Sequence, residues 1–214
     1  MARWEPDARG RLVKAAMELF QERGYGRTTV EGIAARAGLT ERTFFRYFTD
    51  KREVLFSGSK DLEKTLVDMI ANAPKEAAPF DVVAEAFEAA AAELQAVRDF
   101  SHVRARHALV VGHAKLRERE LIKFASLAAA ATEALHVRGV SEPAASLAAE
   151  AGLAIFKVGF GRWVGKKKPQ DLTEHIRAAR DTLKAVATCT ATAPSRVRTA
   201  RAAKRGFRTK GRSK

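Results

Sequence analysis

The segment TERTFFRYFTDK, residues 40–51, places aromatic rings and positive charges side by side. Arginine side chains bind phosphates and the edges of bases, and aromatic rings contact sugars and thymine methyl groups. On a helical wheel Phe44 and Phe48 share one face, and the remaining side chains fan around the opposite side: Arg42, Thr43, Phe45, Arg46 and Tyr47. The spacing therefore predicts a short helix that is held by two buried rings and presents an exposed surface suited to a nucleic acid.

Helices are predicted on both sides of this segment, because apolar residues recur at intervals of three and four. The first helix is expected over residues 7–23. A second begins after a cap at Thr28 or Thr29, where Glu31 is placed to close a capping box on Thr28, and a third begins after Thr40. Gly38 permits the left-handed turn between the second and third helices. The pattern predicts an all-α protein with an N-terminal three-helix, helix-turn-helix head.

The rest of the chain predicts a larger helical domain. A capping box of Asp50 and Glu53 favours one long helix that ends before Pro74, and later helices are expected near 80–99, 102–113, 116–137, 143–165 and 171–189. We expect a head at residues 1–50, a helical effector-binding and dimerisation domain at 51–190, and a disordered basic tail at 191–214. The glycines of VGFGRWVG favour close helix packing at a dimer interface. Further candidates for this interface are Phe160, Trp163, Leu172, Ile176, Leu183 and Val186.

The positive charge is concentrated at the ends of the chain. Of the net charge of +14, residues 194–214 carry nine Lys or Arg and no acidic residue, whereas residues 61–193 are nearly neutral. Basic ends favour a polyanionic partner, and a role in solubility alone is the alternative.

Other functional classes find little support in the sequence. The lone Cys189 excludes an internal disulfide, and the spacing of His102, His107 and His113 does not favour a metal site. Nucleophile elbows, HExxH pairs and P-loop lysines do not occur in the sequence. The start of the chain has no apolar signal segment. We therefore expect a cytoplasmic protein without enzyme activity, cofactor, metal or membrane partner.

The N-terminal pattern resembles the TetR family of bacterial transcriptional regulators over about residues 9–60. The residues that carry this resemblance are Leu19-Phe20, Gly24-Tyr25, Thr28-Thr29-Val30, Ile33-Ala34, Ala37-Gly38, Phe44 to Phe48 and Lys51. The resemblance implies a homodimer that binds a palindromic double-stranded DNA operator and is released by a small effector. It also implies a recognition helix bearing Arg42, Thr43, Phe45 and Tyr47, to which the helical wheel adds Arg46, with phosphate contacts at Thr29, Thr40 and Lys51.

The second half is similar to actinobacterial members grouped with the mycofactocin-associated regulators, some of which are linked to acyl-CoA ligands. The similarity lies in RARHALVVGHAKLREREL and AGLAIFKVGFGRWV. It implies a small apolar or acyl effector, for which Lys115, Arg117 and Arg119 form either a headgroup site or a solvated helix face. Candidate pocket residues are Phe87, Leu94, His107, Val110, Phe124, Phe156 and Phe160. The alternative function is non-specific nucleic-acid binding driven by the basic tail.

Deletion of residues 194–214 tests the role of the tail. If the tail contacts phosphates, its removal lowers affinity for every DNA sequence and reduces the slope of log affinity against log salt, because fewer counterions are released. The preference for a specific site over random DNA should persist. Binding titrations at several salt concentrations measure both quantities, and an unchanged slope would support the solubility role.

Overall fold

The computed structural model describes residues 7–188, and this part of the chain is helical without strands. The predicted tail at 191–214 lies outside the described residues. The all-α prediction is confirmed, with a helix-turn-helix head followed by a larger helical domain. Ten helices occur between residues 7 and 188: α1 (Ala8–Arg23), α2 (Val30–Arg36), α3 (Glu41–Tyr47), α4 (Lys51–Leu55), α5 (Ser59–Asn72), α6 (Pro79–Val97), α7 (Phe100–Gly112), α8 (Ala114–Val137), α9 (Ala144–Val164) and α10 (Leu172–Thr188).

The start of α2 shows how two adjacent threonines divide their roles. Thr29 is the N-cap, and its hydroxyl accepts a hydrogen bond from the Gly32 amide at 3.0 Å. Thr28 is buried, and its hydroxyl lies within hydrogen-bond distance of the carbonyls of Leu19 in α1 and of Gly24, the residue that follows α1. The expected capping box between Thr28 and Glu31 is therefore wrong, because the Thr28 hydroxyl instead donates to the end of α1.

The turn between α2 and α3 is a compact glycine turn. Gly38 has a φ of +66°, a conformation that glycine adopts without a side-chain penalty. The amide of Leu39 then bonds to the Ala34 carbonyl at 2.8 Å, which satisfies the end of α2. Ala34 itself is buried, so its small side chain allows α2 to lie close to its neighbours.

The predicted long helix after Asp50 is wrong, because the chain breaks between α4 and α5 at residues 56–58. Phe56 is buried in the core of the head, whereas Leu66 on α5 is buried in the core of the larger domain. One straight helix does not direct both side chains into two separate cores. The carbonyls left open by the break accept bonds from other helices: Arg106 Nε donates to Leu55 at 2.7 Å, and Arg9 donates to Ser57.

The larger domain is built around α9, which packs against α6, α8 and α10. Two glycines permit this approach. A Cβ on Gly152 would lie 2.4 Å from Val83, and one on Gly159 would lie 2.9 Å from the His175 carbonyl oxygen of α10. These two glycines therefore serve packing within one chain. Of the glycines in VGFGRWVG, Gly159 is thus engaged inside the chain, and the expected dimer-interface role does not apply to it.

The aromatic end of α9 is also internal. Trp163 is 1% exposed, stands edge-on to Phe100, and donates its indole N–H to the Gln170 carbonyl at 2.8 Å. Leu172 and Ile176 of α10 are buried beside it. The placement of these three side chains at an intermolecular interface is therefore wrong, because they form the intramolecular contact between α9 and α10.

Two alanine substitutions on α9 separate packing from helix propensity. Gly159→Ala forces a side chain into the backbone of α10, and we expect it to lower the free energy of unfolding by about 1–3 kcal/mol. Gly161→Ala is the matched control, since a Cβ there meets no atom within 4 Å. The control should raise the free energy of unfolding by about 0.5–1 kcal/mol. Urea denaturation of both variants measures the difference, and equal effects would contradict the packing assignment.

Candidate functional site

The outer face of α3 is an exposed surface of mixed charge and aromatic character. Phe45 is 54% exposed and Tyr47 is 36% exposed, although both are aromatic residues that ordinarily contribute to a core. Arg42 and Arg46 are exposed on the same helix. The Arg46 guanidinium donates to the Tyr47 hydroxyl at 3.1 Å and lies 4.9 Å from the centre of that ring.

The inner face of α3 anchors the helix to the head. Phe44 and Phe48 are buried, as the helical spacing predicts, with ring centres 5.5 Å apart. Thr40 caps the helix by accepting a bond from the Thr43 amide at 3.2 Å. Because both ends and one face are fixed, the outer side chains stand on a rigid support. Such a helix fits a DNA major groove about 12 Å wide.

Thr29 and Thr40 occupy the N-caps of α2 and α3, where their side chains are exposed. These are the positions from which the resemblance implies phosphate contacts. The amides at a helix N-terminus carry partial positive charge, which favours a bound anion. The phosphate contacts themselves stay predictions.

Lys51 is oriented inward. Its ammonium donates to the Tyr25 and Thr28 carbonyls at 2.8 and 2.7 Å, and it lies 4.6 Å from the centre of the Tyr25 ring. Partial burial lowers the pKa of Lys51 and raises the pKa of Tyr25. The structure thus engages Lys51 in fastening the turn between α1 and α2, rather than leaving its ammonium directed outward for a phosphate.

A cavity of about 120 Å³ lies between the head and the larger domain. Its walls come from α1, α4, the α4–α5 link and helices α5 to α9. Among the apolar side chains that line it are Val13, Met17, Phe56, Leu62, Leu94, Phe124, Phe156 and Phe160. A ligand in this cavity would touch both parts of the protein at once.

The predicted pocket residues divide between this cavity and the packed cores. Leu94, Phe124, Phe156 and Phe160 line the cavity. Phe87 does not line it, because its ring is buried against Phe156 and beneath Gly152 in the core. Val110 packs into the core of the head, and His107 sits edge-on to Phe160 outside the cavity lining.

Charged side chains in the cavity were not predicted. They are Arg98, Arg106, Glu120 and Lys123, together with the partly buried imidazole of His102. Burial is the main cause that lowers the pKa of His102. The signal in the sequence was the stripe Leu116, Glu120, Lys123 and Leu127 on α8, whose apolar ends are buried. An ionisable side chain on an inward-facing stripe that lines a cavity is a candidate for a functional position.

The cavity is connected to the head by ion pairs. Glu53 of α4 accepts bonds from Arg119 of α8 at 2.8 and 3.2 Å, so Arg119 is engaged within the chain rather than presented to a ligand headgroup. Arg106 is half-buried beside Glu120, with a separation of 3.1 Å, and lies 5.0 Å from the centre of the Phe56 ring. These contacts hold α4 against α7 and α8.

Comparison with known proteins finds similarity to the TetR family in the head of the chain. Residues 12–57 match the model described as bacterial regulatory proteins, tetR family. The chain is 35% identical over 81 residues to the HTH-type transcriptional regulator TcmR of Streptomyces glaucescens, which covers 38% of this chain and 36% of TcmR. It thus spans about a third of the length of this curated relative.

Solved structures share the fold over more than four fifths of the chain. The triclosan complex of SmeT, a repressor from Stenotrophomonas maltophilia, superposes with a TM-score of 0.58 at 20% identity over 84% of this chain and 90% of SmeT. FadR of Thermus thermophilus in complex with lauroyl-CoA gives a TM-score of 0.50 at 24% identity over 87% of this chain and 98% of FadR. At these low identities, the superpositions show a common fold.

Neighbouring phenylalanines test the assignment of the two faces of α3. Phe44→Ala should destabilise the head by about 3–5 kcal/mol, because it removes a fully buried ring. Phe45→Ala is the matched control, and its effect should stay within about 0.5 kcal/mol. Thermal unfolding followed by circular dichroism measures both. Equal destabilisation by the two substitutions would contradict the assignment.

Proposed function

We propose that this protein is a cytoplasmic, DNA-binding transcriptional regulator that represses its target as a homodimer on a palindromic operator. The observation that carries the proposal is the exposed face of α3, where Arg42, Phe45, Arg46 and Tyr47 stand outward above two buried rings. Arginines at such positions bind guanine edges or phosphates, and aromatic rings contact thymine methyl groups and the backbone.

The proposed homodimer uses the outer faces of the last two helices. On α9 an exposed or half-exposed stripe of apolar and small residues follows a heptad-like spacing: Leu147, Ala151, Ala154 and Val158. On α10 the exposed stripe consists of Ala178, Thr182 and Ala185. Small residues let helices from two copies approach closely. Two such helices per chain form a four-helix bundle about a two-fold axis.

Release by a small apolar or acyl effector is the second part of the proposal. The cavity borders the α4–α5 link, which joins the recognition head to the dimerisation helices. A ligand that binds better to one arrangement of this link shifts the population toward that arrangement. In a dimer, such a shift changes the distance between the two α3 helices and hence their fit to half-sites about one helical turn apart. An acyl-CoA effector, as in the subgroup that the second half of the chain resembles, is one form of this proposal.

DNA binding is tested with Arg42→Ala and Tyr47→Phe. Arg42→Ala should weaken binding to the promoter DNA of the regulator's own gene by about 1–3 kcal/mol, while thermal stability and dimerisation stay nearly unchanged. Tyr47→Phe should also weaken binding, because it removes one hydroxyl from the exposed face.

The matched control is Lys64→Ala, which removes one positive charge from an exposed position on α5. It should leave operator affinity nearly unchanged. Electrophoretic mobility shift at physiological salt, with scrambled DNA for comparison, measures affinity and specificity. Equal loss from Arg42→Ala and Lys64→Ala, or an operator preference well below about 10³, would favour non-specific charge-driven binding.

A further inference from the structure

The cavity between head and larger domain combines an apolar wall with unpaired positive charge. Phe124, Phe156 and Phe160 provide an aromatic side, and Leu62 and Leu94 provide an aliphatic side. An apolar ligand body fits such a wall because its burial is favourable and needs no specific partner.

The charges in the cavity do not cancel. Glu120 is the acidic side chain of the lining, and it is already paired with Arg106 at 3.1 Å. Lys123 and Arg98 line the same cavity, and within residues 7–188 neither forms an ion pair. The Arg98 guanidinium lies over the α4–α5 link, so that a Cβ on Gly58 would stand 3.6 Å from it.

Lys123 is the more unusual of the two cations. Its ammonium lies 5.6 Å from the centre of the Phe124 ring, and it forms no hydrogen bond with any described residue. Burial lowers the pKa of Lys123 to about 8. Lys123 is half-buried rather than enclosed, so its ammonium keeps access to the cavity. A cation that faces a cavity without an ion-pair partner is a candidate site for a ligand anion.

We propose that the effector of this protein is an apolar molecule with a carboxylate, and that Lys123 and Arg98 bind this carboxylate while the aromatic wall holds the apolar body. The inference rests on the proposed function and narrows its ligand class. A free fatty acid or an arylalkanoic acid has this chemistry. An acyl thioester does not, because its acyl group has no free carboxylate, so this inference sets the acyl-CoA form of the proposed function aside.

The test compares ligands with identical apolar bodies and different head groups on the full chain without DNA. Octanoate and 3-phenylpropanoate, which represent the two sources of the carboxylate, are measured against octan-1-ol and 3-phenylpropan-1-ol, with octylammonium as the cationic member. We expect at least one carboxylate to raise the melting temperature and to bind about ten to a hundred times more tightly than its alcohol. Isothermal calorimetry gives the affinities.

Substitution of the lysine supplies a second readout. Lys123→Met should abolish the preference for carboxylates, and it should not lower the melting temperature of the ligand-free protein, since the half-buried ammonium that it removes has no ion-pair partner. Lys123→Gln serves the same purpose with a polar side chain. Lys157→Met is the matched control: this exposed lysine of α9 lies 5.9 Å from the same Phe124 ring but outside the cavity lining, and its loss should leave the preference intact.

The affinity for the carboxylate should also fall as the pH rises from about 7 to about 9, because the ammonium of Lys123 loses its proton in this range. The other ionisable groups that line the cavity are Arg98, His102, Arg106 and Glu120. Burial already lowers the pKa of His102, so its imidazole is neutral throughout this range.

Three results would overturn the inference: alcohols that bind as tightly as carboxylates, a carboxylate preference that survives Lys123→Met and Lys123→Gln, or no binding of either carboxylate. The DNA-binding proposal is judged separately, because these measurements contain no DNA. Carboxylates that bind through Lys123 without releasing promoter DNA would support the site and contradict ligand-driven release. Release of DNA by an uncharged ligand alone would contradict the carboxylate site and leave the regulator proposal standing.

Discussion

The break in the chain at residues 56–58 is the constraint on which the two parts of the molecule depend. Phe56 must enter the core of the head, and Leu66, ten residues later, must enter the core of the larger domain. This change of direction leaves backbone carbonyls without a hydrogen bond inside a helix, and arginines from α1 and α7 donate to them. The link is therefore both the joint between the parts and one wall of the cavity, so a molecule in the cavity would contact the segment that sets the position of α4.

Local interactions explain why much of the head could be predicted from the sequence. The faces of α3, the glycine turn at Gly38 and the threonine caps depend on residues within about four positions of one another. The break before α5 was not predictable in this way. The capping signal at Asp50 is real, since its carboxylate accepts bonds from the amides of Arg52 and Glu53, but the end of α4 is decided by a distant core. Lys51 shows the same limit, because the carbonyls that it binds lie more than twenty residues earlier in the chain.

The cavity shows a different limit. We chose the pocket candidates by their aromatic rings, but rings occur in cores and cavities alike. The ring centres of Phe87 and Phe156 are only 5.5 Å apart, yet Phe156 lines the cavity and Phe87 does not. Ionisable residues at inward helical positions carry more information, because an apolar core excludes them unless something compensates their charge. On α8, Glu120 and Lys123 interrupt a stripe of leucines, and Arg106 does the same on α7 between Val103 and Val110. Charged residues that interrupt an apolar stripe therefore indicate the polar lining of the cavity better than runs of aromatic residues do.

The core of the head is not closed by the head alone. Val110 of α7 and Leu116 of α8 are buried among its side chains, beside residues such as Phe20 and Phe56. A chimeric regulator made by exchanging only residues 7–57 for those of another protein would pair a foreign head with these two side chains. Mismatched volumes there leave a void or a clash in a small core, where one methylene group already matters. Transferring the proposed DNA-sequence preference to another protein therefore requires that the α7–α8 corner be moved together with α3.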